Sequence, residues 1–252
     1  MPTPTARAFA QGLASGVALA ATAVAGRKAL AVLRGGHGHP VRQQVLDVAS
    51  ALVQPKRPLA AVSTCLNGFH FYADDLGRQV EATHLCSHRR DGLHQCVIYD
   101  SGDEDARLIG VEYIVSAERH AALPAEEQRL WHSHDHEVRS GSLVAPGAPQ
   151  VAEHAHLEHL VSTYGKTFHT WQYDRDDEVP LGPPQLMMAF TADGQERRDL
   201  VEARDRRLGT SVTAKRRNRA DIAPSDVHPA ANAWESGTTP QLRLVDVPVR
   251  RP

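Results

Sequence analysis

Three histidines alternate in His132-Ser133-His134-Asp135-His136, and this spacing is the feature of the chain best suited to chemistry. Side chains two residues apart on an extended strand point the same way. Two such imidazoles can clasp a first-row metal ion as neutral nitrogen donors. His132 and His134 carry that expectation, and His136 ranks below them. Glu137 faces the other side of a regular strand and can join the histidines only across a bulge or turn. Further donors lie at His84, His88, His94 and His169, with Cys86 and Cys96 close to the first three in the chain. A facial site of His132, His134 and one of His84, His88 or His169 suits Zn, Fe or Mn. The simpler reading is that these histidines satisfy buried backbone groups or sit in water.

The remaining motifs narrow the chemistry by exclusion. The chain has no P-loop, no dinucleotide glycine fingerprint, no G-x-S-x-G and no zinc-ribbon cysteine spacing. Ser133 between two histidines is not a serine-hydrolase arrangement. The cupin pattern also uses His-x-His and a later Glu, but at an even spacing that keeps all three on one face. The odd spacing of Glu137 weakens that reading. His154, His156 and His159 fall on a helix whose core needs Val151, Leu157, Leu160, Val161 and Tyr164, so they read as surface groups. Lys215-Arg216-Arg217-Asn218-Arg219 can meet phospholipid headgroups or RNA, or simply be a solvated helix end. Aromatics are 5% of the chain and none interleaves with this run, which argues against nucleic-acid stacking.

The elements that must position these groups follow from periodicity. Val41 to Val53 has the three- and four-residue apolar spacing of a helix, stopped by Pro55 and Pro58. His70 to Ala73 is a short strand. Arg78 to His88 and His94 to Asp100 alternate as two strands around Arg90-Asp91-Gly92. A three-residue loop with Gly92 in the left-handed position places Cys86 opposite Cys96 and His88 opposite His94. One sheet face then carries His84, Cys86, His88, His94 and Cys96. A two-residue loop shifts the pairing by one and scatters them. Cys86 and Cys96 are thus a candidate cross-strand disulfide, or a reduced packed pair. Arg107 to Ser116 is a third, central strand, and His132 to Ser140 a strand or extended arm. A helix from Pro149 to Tyr164 is capped by Gly165. Lys166 to Tyr173 and Gln185 to Thr191 are further strands, and Glu196 to Leu208 and Ala214 to Ile222 are helices. Trp131, Trp171, Tyr113 and Phe168 are assigned to the core, as are Met187 and Met188. Strands without regular βαβ alternation predict a single α+β domain, a mainly antiparallel sheet flanked by helices.

The 252 residues carry a formal net charge of -2, so no global field steers the chain to nucleic acid or an anionic membrane. Histidine is abundant at 15 residues, whereas three cysteines are too few for a disulfide scaffold. Residues 9–25 (FAQGLASGVALAATAVA) are uncharged and end in a small-x-small site. This is the layout of a signal peptide over residues 1–25, with a weak anchor or an Ala-rich leader as alternatives. Residues 1–40 then form a leader and linker, 41–230 the domain and 231–252 an irregular tail.

Five runs resemble the oil body-associated protein family: GFHFYADDLGRQVEATHLCSH (68–88), QCVIYDSGDEDARLIGVEYIVS (95–116), LWHSHDHEVRSGSLVAPGAP (130–149), TYGKTFHTWQYDR (163–175) and LGPPQLMMAFTADGQ (181–195). The resemblance covers residues 41 to 230, with residues 1–40 added to the plant-like pattern. It implies a small domain without a long hydrophobic hairpin, a peripheral association with lipid surfaces, and no defined reaction. Three functions follow: a peripheral lipid-surface protein; a His-liganded metal-binding protein or metal-dependent enzyme; and an interaction domain without a ligand. Two addresses accompany them: the cell envelope if residues 1–25 direct export, and otherwise the cytoplasm at a lipid surface.

Overall fold

The computed structural model describes residues 23–27, 29–34 and 40–251. They form two compact units, one ending at Ala60 and including Asp103–Asp105, the other comprising Ala61–Gly102 and Ala106 onward. The first contains α1 (Val41–Val53) and α2 (Arg57–Ala60). Its apolar spacing makes α1 helical as expected, but Val41, Val45, Leu52 and Val53 stay exposed, and neither helix buries any residue. The signal-peptide reading of residues 1–25, apart from the last three, and the glycine-rich linker at 35–39 lie outside the described residues.

The second unit is built on seven strands: β1 (Thr64–Tyr72), β2 (Asp75–His88), β3 (His94–Tyr99), β4 (Leu108–Ser116), β5 (His132–Ser133), β6 (Thr163–His169) and β7 (Gln185–Met188). Every pairing among them is antiparallel. The mainly antiparallel, helix-flanked sheet is therefore present, but it does not stay open. The strands run β4-β3-β2-β1-β7-β6, and β6 pairs again with β4, closing a six-stranded barrel. Closure leaves no free edge along most of these strands. The two-residue β5 adds to β6 through His132↔Gly165 and Ser133↔Tyr164.

The β2–β3 turn has the expected register. Arg89 donates to the Leu93 carbonyl, Gly92 has φ 79°, and Cys86 and His88 oppose Cys96 and His94. Cys86 and Cys96 are joined by a disulfide. The register carries on across the sheet, with Leu66 opposite His84, Cys96 opposite Glu112, Glu112 opposite Thr167 and Ile114 opposite Gly165. Alternation thus sends His70, His84, Glu112, Gly165, Thr167 and His169 to one inner face.

After the short α3 (Ala117–Ala121) and α4 (Ala125–Gln128), further helices close one end of this interior. Leu66, Cys86, Cys96 and Ile114 pack against Val138 of α5 (Asp135–Ser140), Leu143, and Leu157 and Leu160 of α6 (Gln150–Leu160). On the outer face, Phe69, Phe71, Leu186 and Met188 pack against Leu200 and Val201 of α7 (Arg198–Leu208) and against Trp234. Arg204 of the same helix is fully buried, and its Nη1 donates to Asn67 Oδ1 and the Ser142 carbonyl. Met187 and Met188 are buried as expected, whereas Tyr113 and Val151, assigned to the core, are exposed. The helix expected to end at Gly165 stops at Leu160, and β6 begins at Thr163. Gly165 is consequently a strand residue facing the interior. The basic run lies in the last turn of α8 (Val212–Asn218).

Candidate metal centre

Glu112 is the centre of a buried cluster that the barrel assembles from four strands and a helix start. His84 comes from β2, His132 from β5, and His134 from the residue before α5; each is between 0% and 4% exposed, and Glu112 is 3% exposed. His132 Nε2 and His134 Nε2 lie 3.2 and 3.4 Å from Glu112 Oε1, and His84 Nε2 lies 3.1 Å from Oε2. His70 of β1 completes a second set with His84 and Glu112, so two donor triads share the one carboxylate, each with ligand atoms within 4.8 Å of one another. His169 stands behind, its Nε2 3.1 Å from His70 Nδ1.

Proximity here is not hydrogen bonding throughout. For His84 and His132 the approach to Glu112 falls outside hydrogen-bond angles, and neither ring nitrogen of either residue has a hydrogen-bond partner among the described residues. An unsatisfied buried polar atom costs on the order of 1–3 kcal/mol. Two of these nitrogens, His84 Nε2 and His132 Nε2, face the one carboxylate and call for a partner of another kind.

The protonation state of His134 sharpens the point. Thr163 Oγ1 donates to the Leu160 carbonyl at 2.7 Å, capping the end of α6. The same oxygen lies 2.7 Å from His134 Nδ1, and with its proton committed it accepts from Nδ1–H. A neutral His134 then turns a bare Nε2 lone pair toward a carboxylate. Burial lowers the pKa of His134, against the pull of Glu112, and so favours this neutral form. A lone pair facing an anion is repulsive unless a cation sits between them.

The sequence makes room for this cluster at Gly165. A Cβ on Gly165 would overlap Glu112 Oε1 and lie 2.6 Å from His132 Nε2 and 2.9 Å from His134 Nε2. A cavity of about 10 Å³ is lined by His70, His84, Glu112, His134 and Glu137, with Leu66, Leu143 and Leu160 on its apolar side. That is about the space one water molecule needs. Burial, reinforced by Glu112 and Glu196, pushes the Glu137 carboxyl well above its usual range.

Local sequence explains how these groups converge. His134 has φ -89° and ψ 0°, and the chain turns there into α5, with Asp135 and Glu137 in its first turn and Gly141 ending it at φ 88°. Acidic first-turn residues favour a helix N-terminus. The extended arm expected over 132–140 is therefore corrected to two strand residues and a helix. His136 leaves the row and lies near Asp193, 3.8 Å away, while Glu137 comes within 3.9 Å of His134 Nε2. The C-terminal tail clamps β5: Asn232 Oδ1 accepts from Ser133 N–H, its Nδ2 donates to Ser133 Oγ, and its N–H donates to the Trp131 carbonyl.

Of the expected donors, His84, His132 and His134 meet, and His169 stands in the layer behind. His88 does not join them; it is exposed at the far end of the hairpin, stacked on His94. Two participants escaped the sequence reading. Glu112 lies in a strand read only as apolar and central, and His70 in one read as aromatic. Their alternation with buried neighbours was the available signal.

Comparison with known proteins places the chain. Residues 56–223 match the family model described as protein of unknown function (DUF1264). Oil body-associated protein 1A of Zea mays is 46% identical over 206 residues, 81% of this chain and 87% of that protein. The chain belongs to the oil body-associated protein family. Within it, oil body-associated protein 1B of Arabidopsis thaliana is 44% identical over 205 residues, 81% of this chain and 85% of its own. Oil body-associated protein 2A of Zea mays is 46% identical over 203 residues, 79% and 81% of the two chains. No solved structure matches the chain. No helix among the described residues is long and apolar enough to cross a membrane.

Proposed function

We propose that this oil body-associated protein family member binds one first-row divalent metal ion inside its barrel, on His84, Glu112, His132 and His134, with His70 as a further donor. The observation that carries this is the convergence of the His84, His132 and His134 Nε2 atoms on the one buried Glu112 carboxylate, where neither ring nitrogen of His84 or His132 has a hydrogen-bond partner among the described residues. Donors 2.0–2.2 Å from one ion sit roughly 3.0–3.5 Å from each other, the range of the His–Glu112 separations. Imidazoles with one carboxylate suit Zn, Fe or Mn. Outer contacts fix the rings, Thr163 on His134 and His169 on His70, as such partners do for metal ligands. The adjoining cavity leaves one position for a water-sized ligand, which is the mark of a reactive rather than a purely structural centre.

The test is elemental analysis of untagged full-length protein beside Glu112→Gln, an isosteric loss of the anion. The expected result is near-stoichiometric metal in the wild type and at least 10-fold weaker retention in the variant. A wild type that keeps no metal after loading and desalting, or a variant that keeps as much, overturns the site.

A second reading, compatible with the first, is peripheral association with a lipid surface. It draws on the oil-body names of the relatives and on the exposed Val41, Val45, Leu52 and Val53 of α1. An amphipathic helix binds membranes through such apolar area. Flotation with phospholipid-coated triolein droplets tests it: Val45→Glu/Leu52→Glu should leave the floated fraction, and full-length protein that never floats sinks the idea. The Cys86–Cys96 disulfide favours an exported address, since disulfides persist in oxidising compartments. Determining the N-terminus of the protein from its native cell checks this, and an intact Met1 counts against it.

A further inference from the structure

We propose that His88, His94, His156 and His159 form a second, surface site for a borderline divalent cation such as Cu²⁺, Ni²⁺ or Zn²⁺, independent of the buried centre. His88 and His94 are direct cross-strand partners at the end of the β2–β3 hairpin, their rings stacked 4.0 Å apart. His156 and His159 are three residues apart on α6 and so share a helix face. That face looks at the hairpin: the His156 ring lies 6.1 Å from His88, and the His159 ring 6.3 Å from His94. Two rigid elements thus present two imidazoles each to a common space.

Taken pair by pair the separations suit a metal, and bringing all four donors onto one ion requires the rings to turn, because the donor groups already within 4.8 Å of one another among the described residues are those at Glu112. Rings bound through nitrogen to one metal have centroids roughly 5–6.5 Å apart, and the two hairpin-to-helix distances fall in that span. The stacked pair is closer, so binding requires one ring to rotate. His88, being exposed, is free to do so. None of the four imidazoles makes a hydrogen bond or ion pair with another described residue, so the contact that binding disturbs is the His88–His94 stack. Four histidines have no packing reason to gather here, because α6 buries Leu157 and Leu160 instead. A cavity of about 570 Å³ is lined by His94 and His159 and gives an ion access to that pair, while His88 lies exposed beside them. An all-imidazole donor set selects Cu²⁺, Ni²⁺ and Zn²⁺ over Mg²⁺, Ca²⁺ and Mn²⁺.

The experiment is equilibrium dialysis of untagged full-length protein against Cu²⁺, with electron paramagnetic resonance of the bound ion. His88→Ala/His156→Ala should lose one bound equivalent and its nitrogen-split signal relative to wild type, while Glu112→Gln keeps that equivalent. His156→Gln/His159→Gln, which preserves helix propensity, should lose the same equivalent and covers the case of an ill-folded first variant. An unchanged copper count and spectrum in folded variants, or a drop in thermal stability alone, overturns the proposal.

Discussion

Gly165→Ala asks the buried centre to accept a single methyl group. The φ of Gly165 is not in the left-handed region, so an alanine fits the backbone. By that criterion alone the change should stabilise by roughly 0.4–1 kcal/mol, through reduced freedom of the unfolded chain. The interior reverses the sign. The new Cβ overlaps Glu112 Oε1 and stands 2.6 and 2.9 Å from His132 Nε2 and His134 Nε2, all on buried side chains with nowhere to go. Overpacking of a filled interior costs about 1–3 kcal/mol, so the net expectation is a loss of about 1–2 kcal/mol. The displaced atoms are the proposed ligands, so metal retention should fall at least 10-fold. Urea titration of chelator-treated protein gives the first quantity and elemental analysis the second. A cycle with Glu112→Ala isolates the cause. With the overlapping oxygen removed, Gly165→Ala should cost markedly less than in the wild-type background. An equal penalty in both backgrounds, or full metal content in Gly165→Ala, would show that the methyl group meets no ligand cluster.

Three other outcomes are expected. Burial and the neighbouring histidines lower His94 to about 4, and burial with His84 lowers His169 to about 3. Between their ordinary value near 6.5 and these values the unfolded chain binds protons that the native state refuses, so stability should fall as pH drops from about 6.5. Each such histidine adds up to ~1.4 kcal/mol per pH unit, and His94→Gln should remove one proton's worth of slope in urea titrations at pH 7 and 5. Cys86 and Cys96 are ten residues apart in sequence. Closing a loop that short is worth about 2–3 kcal/mol; reductant should cost the wild type that much and leave Cys86→Ala/Cys96→Ala unaffected, and equal wild-type melts with and without reductant would refute it. Arg204→Met should destabilise by ~3 kcal/mol or more, because Asn67 Oδ1 and the Ser142 carbonyl lose a buried cationic donor; a variant as stable as wild type in urea would show that these contacts carry no weight.

How much of this was legible in the sequence depended on how local the cause was. The β2–β3 hairpin could be read because its register is set by Arg90-Asp91-Gly92 alone, and that register fixes Cys86 against Cys96. Barrel closure could not, because the β4–β6 pairing joins residues about fifty apart with no local mark. Glu112 was hidden for the same reason: inside a strand of Ile, Val and Tyr a single carboxylate looks like a solvent-facing residue until the sheet curls round it. The arm at 132–140 failed differently. Its alternating histidines suggested period two, yet Asp135 and Glu137 at the start, Arg139 late and Gly141 after are the charge order and stop of a short helix. Period 3.6 then undoes the parity argument. It turns His136 out toward Asp193 and swings Glu137 in toward His134, so the odd spacing that seemed to exclude this carboxylate is what brings it beside the centre. Gly165 follows the same logic. Read as a helix cap it would need only a left-handed φ; as a strand residue opposite His132 it needs the absence of a side chain. Alanine there separates the two roles, since only the second makes its penalty depend on Glu112.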